Sequence, residues 1–183
     1  MPYLFKFGIL LTVSMMILSC SNSTVSEFQT AIKNGNIEQI KKLIAKETDV
    51  NLKDKNGDTP IHWAAGSGRI AVVKLLIKHD ANVGTKDNNG VTPLGLATFL
   101  GPTSVVKLLI AEGANVNAKT IYGNTPLMFA VMEGHTDVAQ LLITKGANIK
   151  AKNNGGETPL SIAVLEDYKP MEQLLREKGA KVQ

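Results

Sequence analysis

From about residue 24 onward, apolar and polar positions alternate in a compound rhythm that repeats every 33 residues. Each period opens on Thr-Pro, followed by a short run with apolar residues at helical spacing: Thr59-Pro60-Ile61-His62-Trp63-Ala64, Thr92-Pro93-Leu94-Gly95-Leu96-Ala97, Thr125-Pro126-Leu127-Met128-Phe129-Ala130 and Thr158-Pro159-Leu160-Ser161-Ile162-Ala163. A second apolar block follows in register: Val72-Val73-Lys74-Leu75-Leu76-Ile77, Val105-Val106-Lys107-Leu108-Leu109-Ile110 and Val138-Ala139-Gln140-Leu141-Leu142-Ile143. No insertion or deletion breaks the register. Two helices per period are predicted. The first is capped by threonine with proline at its first position, where the missing N–H costs nothing. It ends at Gly68, Gly101 or Gly134, where a left-handed residue is needed. The second buries its Val-Val-x-x-Leu-Leu face. Gly113 and Gly146 then close that helix and lead into a hairpin. Glu47 and Asp80 stand in the column of these last glycines and predict slight strain there.

The end units depart from the rhythm in a way that suits a stack with two open faces. Thr30 stands in the column of Trp63, Leu96, Phe129 and Ile162, and Lys42 in that of Leu75, Leu108, Leu141 and Leu174. Glu172 and Arg176 replace apolar residues in the last unit. Polar residues keep terminal units soluble where no neighbour covers them.

The Thr-Pro-Leu-His-x-Ala run at a 33-residue period resembles the ankyrin repeat. The resemblance covers about 160 residues and implies an all-α solenoid of stacked helix-turn-helix units joined by β-hairpins, about five units with the caps. The boundaries expected are a cap at 24–53, repeats at 54–86, 87–119 and 120–152, and a closing unit at 153–183, with no second domain.

The first 20 residues are of another kind. Lys6 is their only charged side chain, and Phe7 to Leu18 form an apolar run of 12 residues, short of the roughly 20 a membrane-spanning helix needs. A charged start, an apolar middle and a small exit residue are the layout of a secretory signal over 1–19. The exit, Ile17-Leu18-Ser19-Cys20, resembles the lipobox of bacterial lipoproteins. Ile17, Ser19 and Cys20 match, while Leu18 is bulkier than usual at its position. Cys20 is the only cysteine, so no intramolecular disulfide is possible, and it falls at the lipidation position. A plain signal cut near Ser19 and an uncleaved anchor are the alternatives. The resemblance implies three acyl chains on Cys20, an effectively permanent anchor, whereas one chain gives only reversible binding. Residues 20–23 form a short tether; five extended residues after Cys20 reach only about 17 Å, which keeps the solenoid near the membrane. Ser21, in place of the aspartate that retains such proteins at an inner membrane, implies the periplasmic side of an outer membrane in a cell with two.

Composition narrows the function. Aromatics are 5% of the chain, so aliphatic residues and alanine must build the core. The net charge is +4, from 20 cations and 16 acids, and lysine supplies nearly all the cations. They are interspersed with acids and lack the stacking aromatics and clustered arginines of a nucleic-acid binder, so no nucleic-acid partner is expected. No zinc spacing, nucleophile elbow or phosphate loop is present. No catalytic residue, metal or cofactor is expected. His62, in the family's TPLH position, is structural by resemblance, His135 stands in its Gly-His position, and His79 suits a helix C-terminus.

In the family, partners bind the hairpin tips and the exposed side of the first helices, a concave face. Those columns read Lys33/Asn34, Gly66/Ser67, Phe99/Leu100, Met132/Glu133 and Leu165/Glu166 along the helices, and Lys55-Asn56, Asn88-Asn89, Ile121-Tyr122 and Asn154-Gly155 at the tips. Phe99, Leu100, Ile121, Tyr122, Met132 and Leu165 are therefore expected to form an apolar patch that anchors a protein partner, unless Phe99, Leu100 and Met132 tuck inward as extra core. A second column, Lys53, Lys86, Lys119 and Lys152, is either a solvated edge or a surface for an acidic partner or lipid headgroups. The function expected is a monomeric, non-enzymatic, lipid-anchored protein-binding module, a scaffold or an inhibitor of immunity type. A structural envelope component acting through weak multivalent electrostatic contacts is the alternative.

Overall fold

The computed structural model describes residues 23–46 and 48–181. The signal segment, Cys20 and Glu47 lie outside the described residues. Among the described residues ten helices occur in five antiparallel pairs: α1 (23–34) and α2 (Ile37–Ala45), α3 (Pro60–Gly66) and α4 (Ile70–Lys78), α5 (Pro93–Leu100) and α6 (Thr103–Ala111), α7 (Pro126–Met132) and α8 (Thr136–Thr144), α9 (Pro159–Leu165) and α10 (Lys169–Glu177). The expected all-α solenoid of five units is what forms. An inner row of first helices runs α3, α5, α7, α9, each packed on the next, and an outer row runs α4, α6, α8, α10.

The core consists of columns, since equal positions in successive units meet across each layer. Ile61, Leu94, Leu127 and Leu160 are buried, as are Leu76, Leu109, Leu142 and Leu175. Alanine fills the column Ala64, Ala97, Ala130 and Ala163, where a larger side chain would hold the inner helices apart. Each buried leucine in such a column is worth about 2–5 kcal/mol against alanine. At the ends the columns run out as predicted: Thr30 and Lys42 are exposed, and Glu172 pairs with Arg176 at 2.8 Å.

Helix boundaries follow from the capping residues. Thr92, Thr125 and Thr158 accept from the N–H three residues on, at 3.1, 3.4 and 3.1 Å, with proline next in each case. Gly68, Gly101 and Gly134 adopt φ of 65°, 85° and 68°. Asp80 is forced to φ 63°, the strain expected from its column, and Asp167 to 54° at the end of the last first helix, where the other units have glycine.

The connections between units differ from expectation in one respect. Among the described residues no strand forms, so the hairpins are tight turns. Each turn closes on itself, as where Asp54 N–H donates to Asp58 O at 2.9 Å and Gly57 N–H to Asp54 O at 3.0 Å. Neighbouring tips share one backbone bond each: Asn88 N to Asn56 O, Ile121 N to Asn89 O and Asn154 N to Tyr122 O, all 2.9 Å. One bond per junction makes no ladder.

Two asparagines clamp adjacent units together. Asn51 accepts from Asn82 N–H at 2.8 Å and donates to Asp80 O at 3.1 Å. Asn117 repeats this on Asn148 N–H and Gly146 O, at 2.8 and 3.1 Å. Gly84 holds the same column between them and leaves the junction of the 54–86 and 87–119 units without a clamp. Its φ is not among the positive ones, and an added Cβ would meet only Asn82 Oδ1 at 3.5 Å. Gly84→Asn is therefore expected to stabilise the protein by about 1–2 kcal/mol, through two hydrogen bonds to Asn115 and Gly113 and a less flexible unfolded chain. Urea denaturation checks this, and an unchanged or lower midpoint would refute it.

Candidate functional site: the tip and first-helix face

The residues expected to bind a partner come from two kinds of element. Phe99 and Leu100 end α5, and Leu165 ends α9, one turn beyond the buried columns. Ile121 and Tyr122 sit at the apex of the turn between α6 and α7. Phe99 is 40% exposed, Leu100 51%, Ile121 56%, Tyr122 61% and Leu165 74%. For five of the six predicted residues the apolar surface faces solvent.

Met132 departs from the expectation. It is half-buried and packs against the core. It stands one turn after the fully buried Met128, and its unbranched, flexible side chain fills the gap there where a stiffer one would project. Phe99 and Leu100 are partly supported as well. The rings of Phe99 and Phe129 meet edge-to-face with centroids 6.0 Å apart, and Leu100 Cδ1 lies over Gly66, 3.3 Å from where a Cβ there would stand. Both are fixed in place while presenting apolar surface outward.

The backbone beneath the patch is held from the neighbouring unit. Asn154 Nδ2 donates to Ile121 O at 2.9 Å, beside the Asn154 N–H bond to Tyr122 O. His135 Nε2 donates to Phe99 O at 3.2 Å, and its ring fills the space above Gly101. These positioning residues were not legible as such. A histidine after glycine and an asparagine at a tip are visible in the sequence, but their acceptors lie 36 and 33 residues away.

The lysine column also proves to be internal bracing. Lys53 Nζ donates to Lys86 O at 2.9 Å, Lys86 Nζ to Lys119 O at 2.8 Å and Lys119 Nζ to Lys152 O at 3.0 Å. Each ammonium staples its unit to the next.

The family model for ankyrin repeats (3 copies) matches residues 28–120 and 119–183. The chain belongs to the ankyrin-repeat family. No curated protein matches it. Ankyrin repeats are protein-interaction modules, generally non-enzymatic ones, so this ankyrin protein carries a surface built for binding. Its TPLH histidine, His62, is fully buried. Nδ1 accepts from Thr59 N–H at 3.2 Å and lies 3.0 Å from Thr59 Oγ1, and Nε2 faces Val91 O at 3.1 Å. The bonds assign the tautomer with the proton on Nε2, and burial holds the ring's pKa below its ordinary value. His79 caps α4 at its C-terminus.

Electrostatics single out one more residue on the tip side. Asp58 is half-buried and faces Asp54 and Asp87. Burial, then the two neighbouring carboxylates, push its pKa up to about 6. The equivalent Asn124 instead accepts from Asn153 Nδ2 at 2.9 Å. A raised carboxylate pKa means the folded state holds the extra proton between the ordinary 3.8 and about 6, so stability falls as pH rises through that window. The interval corresponds to at most roughly 3 kcal/mol, and contact with solvent reduces the expected gain from Asp58→Asn to about 1 kcal/mol above the window. Below it the gain should vanish. Thermal melts of both proteins across the pH range test this, and a gain independent of pH would mean that charge is not its cause.

Proposed function

We propose that this ankyrin protein is a binding module held at a bacterial envelope membrane through an acylated Cys20, on the periplasmic side of the outer membrane where the cell has two. It grips one protein partner on the tip and first-helix face, with Phe99, Leu100, Ile121, Tyr122 and Leu165 as anchors, and it performs no chemistry of its own. The observation that carries the reading is where apolar surface is left uncovered. Of seven large hydrophobic residues exposed among the described residues, five lie in these columns. Aromatic and aliphatic anchors on a rigid support bind at low entropic cost, because the surface is ordered before the partner arrives. The stapled lysines speak against the electrostatic envelope component, since three ammoniums of that column already serve the fold.

The test is affinity capture from envelope extracts with the natural protein and with a Phe99→Ser, Leu100→Ser, Tyr122→Ser variant whose helix content is confirmed by circular dichroism. A partner held by the natural chain and bound at least about tenfold more weakly by the variant supports the reading. Equal capture by both refutes the patch. A resident envelope protein as partner identifies a scaffold; a toxic enzyme identifies an immunity role.

A further inference from the structure

The second helices turn a face to solvent that partner binding on the opposite side does not use. The 33-residue register places Lys41, Lys74 and Lys107 at the same turn of α2, α4 and α6, and all three are exposed. Ile77 and Ile110 follow three residues after the last two, on the same side of their helices, and are only half-buried. Together α2, α4 and α6 carry five lysines against one acid, Glu38. Lys41 pairs with Glu38 at 2.9 Å, but among the described residues no carboxylate lies within ion-pairing distance of Lys74, Lys78 or Lys107.

This charge is not spread along the stack. In α8 and α10 two cations face three acids, and both cations are ion-paired. The positive potential belongs to the first three units. That is also the end from which the tether would leave. Only Ser21 and Asn22 lie between Cys20 and Ser23 at the start of α1, at most about 10 Å of extended chain, close to the Debye length at physiological salt.

We propose that the outer face of the first three units docks on anionic phospholipid headgroups. The lysine ammoniums meet the phosphates, and the half-buried isoleucines meet the headgroup boundary. The charge type favours a lipid surface over a specific phosphate ligand or nucleic acid. Lysines act as point charges on a smeared negative surface, whereas phosphate recognition favours the planar fork of arginine. The one arginine nearby, Arg69, spends its guanidinium on Lys33 O at 3.0 Å. With a permanent acyl anchor, the consequence of docking is orientation: the solenoid lies on its outer row and turns Phe99, Ile121 and Tyr122 away from the bilayer. The proposal rests on the tether reading for Cys20.

The chain purified from the membranes of a producing bacterium is placed on vesicles of phosphatidylcholine, alone or with roughly one-third phosphatidylglycerol. An acylated Cys20 leaves an introduced cysteine as the only free thiol, so Ser104→Cys on α6 and Asn89→Cys on a tip each take a single dye. Energy transfer to headgroup acceptors is then read. On anionic vesicles transfer from position 104 should exceed that from 89 by about twofold or more, and raised salt should abolish the difference. Lys74→Glu, Lys78→Glu and Lys107→Glu together should abolish it too, each lysine being worth about fivefold in surface partitioning. Equal transfer from both positions, or a difference that neutral vesicles reproduce, overturns the proposal. Intact mass reports acylation on the same preparation and separates failure of the tether from failure of the docking. Should Cys20 carry no lipid, labelling is replaced by flotation of the unlabelled chain. Salt-sensitive flotation with anionic vesicles that the triple charge reversal removes still supports the charged face, and flotation indifferent to both refutes it.

Discussion

Gly123→Ala is expected to cost about 3 kcal/mol, an unusually large loss for a surface turn. Two effects combine. Gly123 has φ of 79°, and an L-residue in that region costs about 1–2 kcal/mol. The added methyl would also stand 2.7 Å from Asn154 Oδ1 and 2.9 Å from its backbone N. Asn154 must retreat, and its two bonds, to Ile121 O and Tyr122 O, are lost with it. Each is worth roughly 0.5–1.5 kcal/mol net. Because units of a solenoid touch only their neighbours, the damage should concentrate at the junction with the closing unit. Amide exchange should quicken first across α9 and α10, while α3 to α6 keep their protection. The same turn carries Ile121 and Tyr122, so partner affinity should fall along with stability. A loss below about 1 kcal/mol would show that the turn relaxes freely, and a uniform rise in exchange would show that the stack unfolds as one body.

What could be read in advance was whatever depends on a residue's own backbone. Thr92, Thr125 and Thr158 cap helices because a hydroxyl reaches the N–H three residues on, and the glycine columns mark left-handed positions. Both follow from a single unit. What could not be read depends on how one layer sits on the next. Lys53 and Asn51 each find acceptors about 30 residues away, a distance set by the rotation between units. The lysine column was visible, its partners were not. Met132 shows the same limit within the candidate site. It shares a column with Phe99 and Leu165, yet it folds inward while Leu165, in the last layer, is 74% exposed. Exposure in a stack is a property of the neighbour as much as of the residue. The absence of strands among the described residues has a similar origin, since one backbone bond per pair of tips is fixed by layer spacing rather than by turn sequence.

His62→Ala is expected to cost about 3–4 kcal/mol. It strips the buried Thr59 N–H of its acceptor, at about 1–3 kcal/mol, takes from Val91 O one of its two donors, the other being Asp87 N–H at 3.0 Å, and opens a cavity in place of the ring. The equivalent positions say what a remedy needs. Ser161 Oγ accepts from Thr158 N–H at 2.8 Å, so His62→Ser should restore the local bond but not the one to Val91, and recover about half the loss. Gly95 has no side chain at all, and there the Phe129 ring comes within 3.5 Å of where a Cβ would stand. The pH dependence adds a signature. Burial lowers the ring's pKa, so between that lowered value and the ordinary 6.5 the unfolded chain holds the extra proton, and stability falls as pH drops below 6.5. Asp58 acts in the opposite sense between 3.8 and about 6, which partly hides the effect in the natural protein. Removing the imidazole should therefore cost most near neutrality and progressively less in acid, and in an Asp58→Asn background the trend should appear undiluted. If His62→Ser recovers nothing, the bond to Val91 across the junction, rather than the local cap, is what the histidine contributes, and its role is to join two units rather than to start one helix.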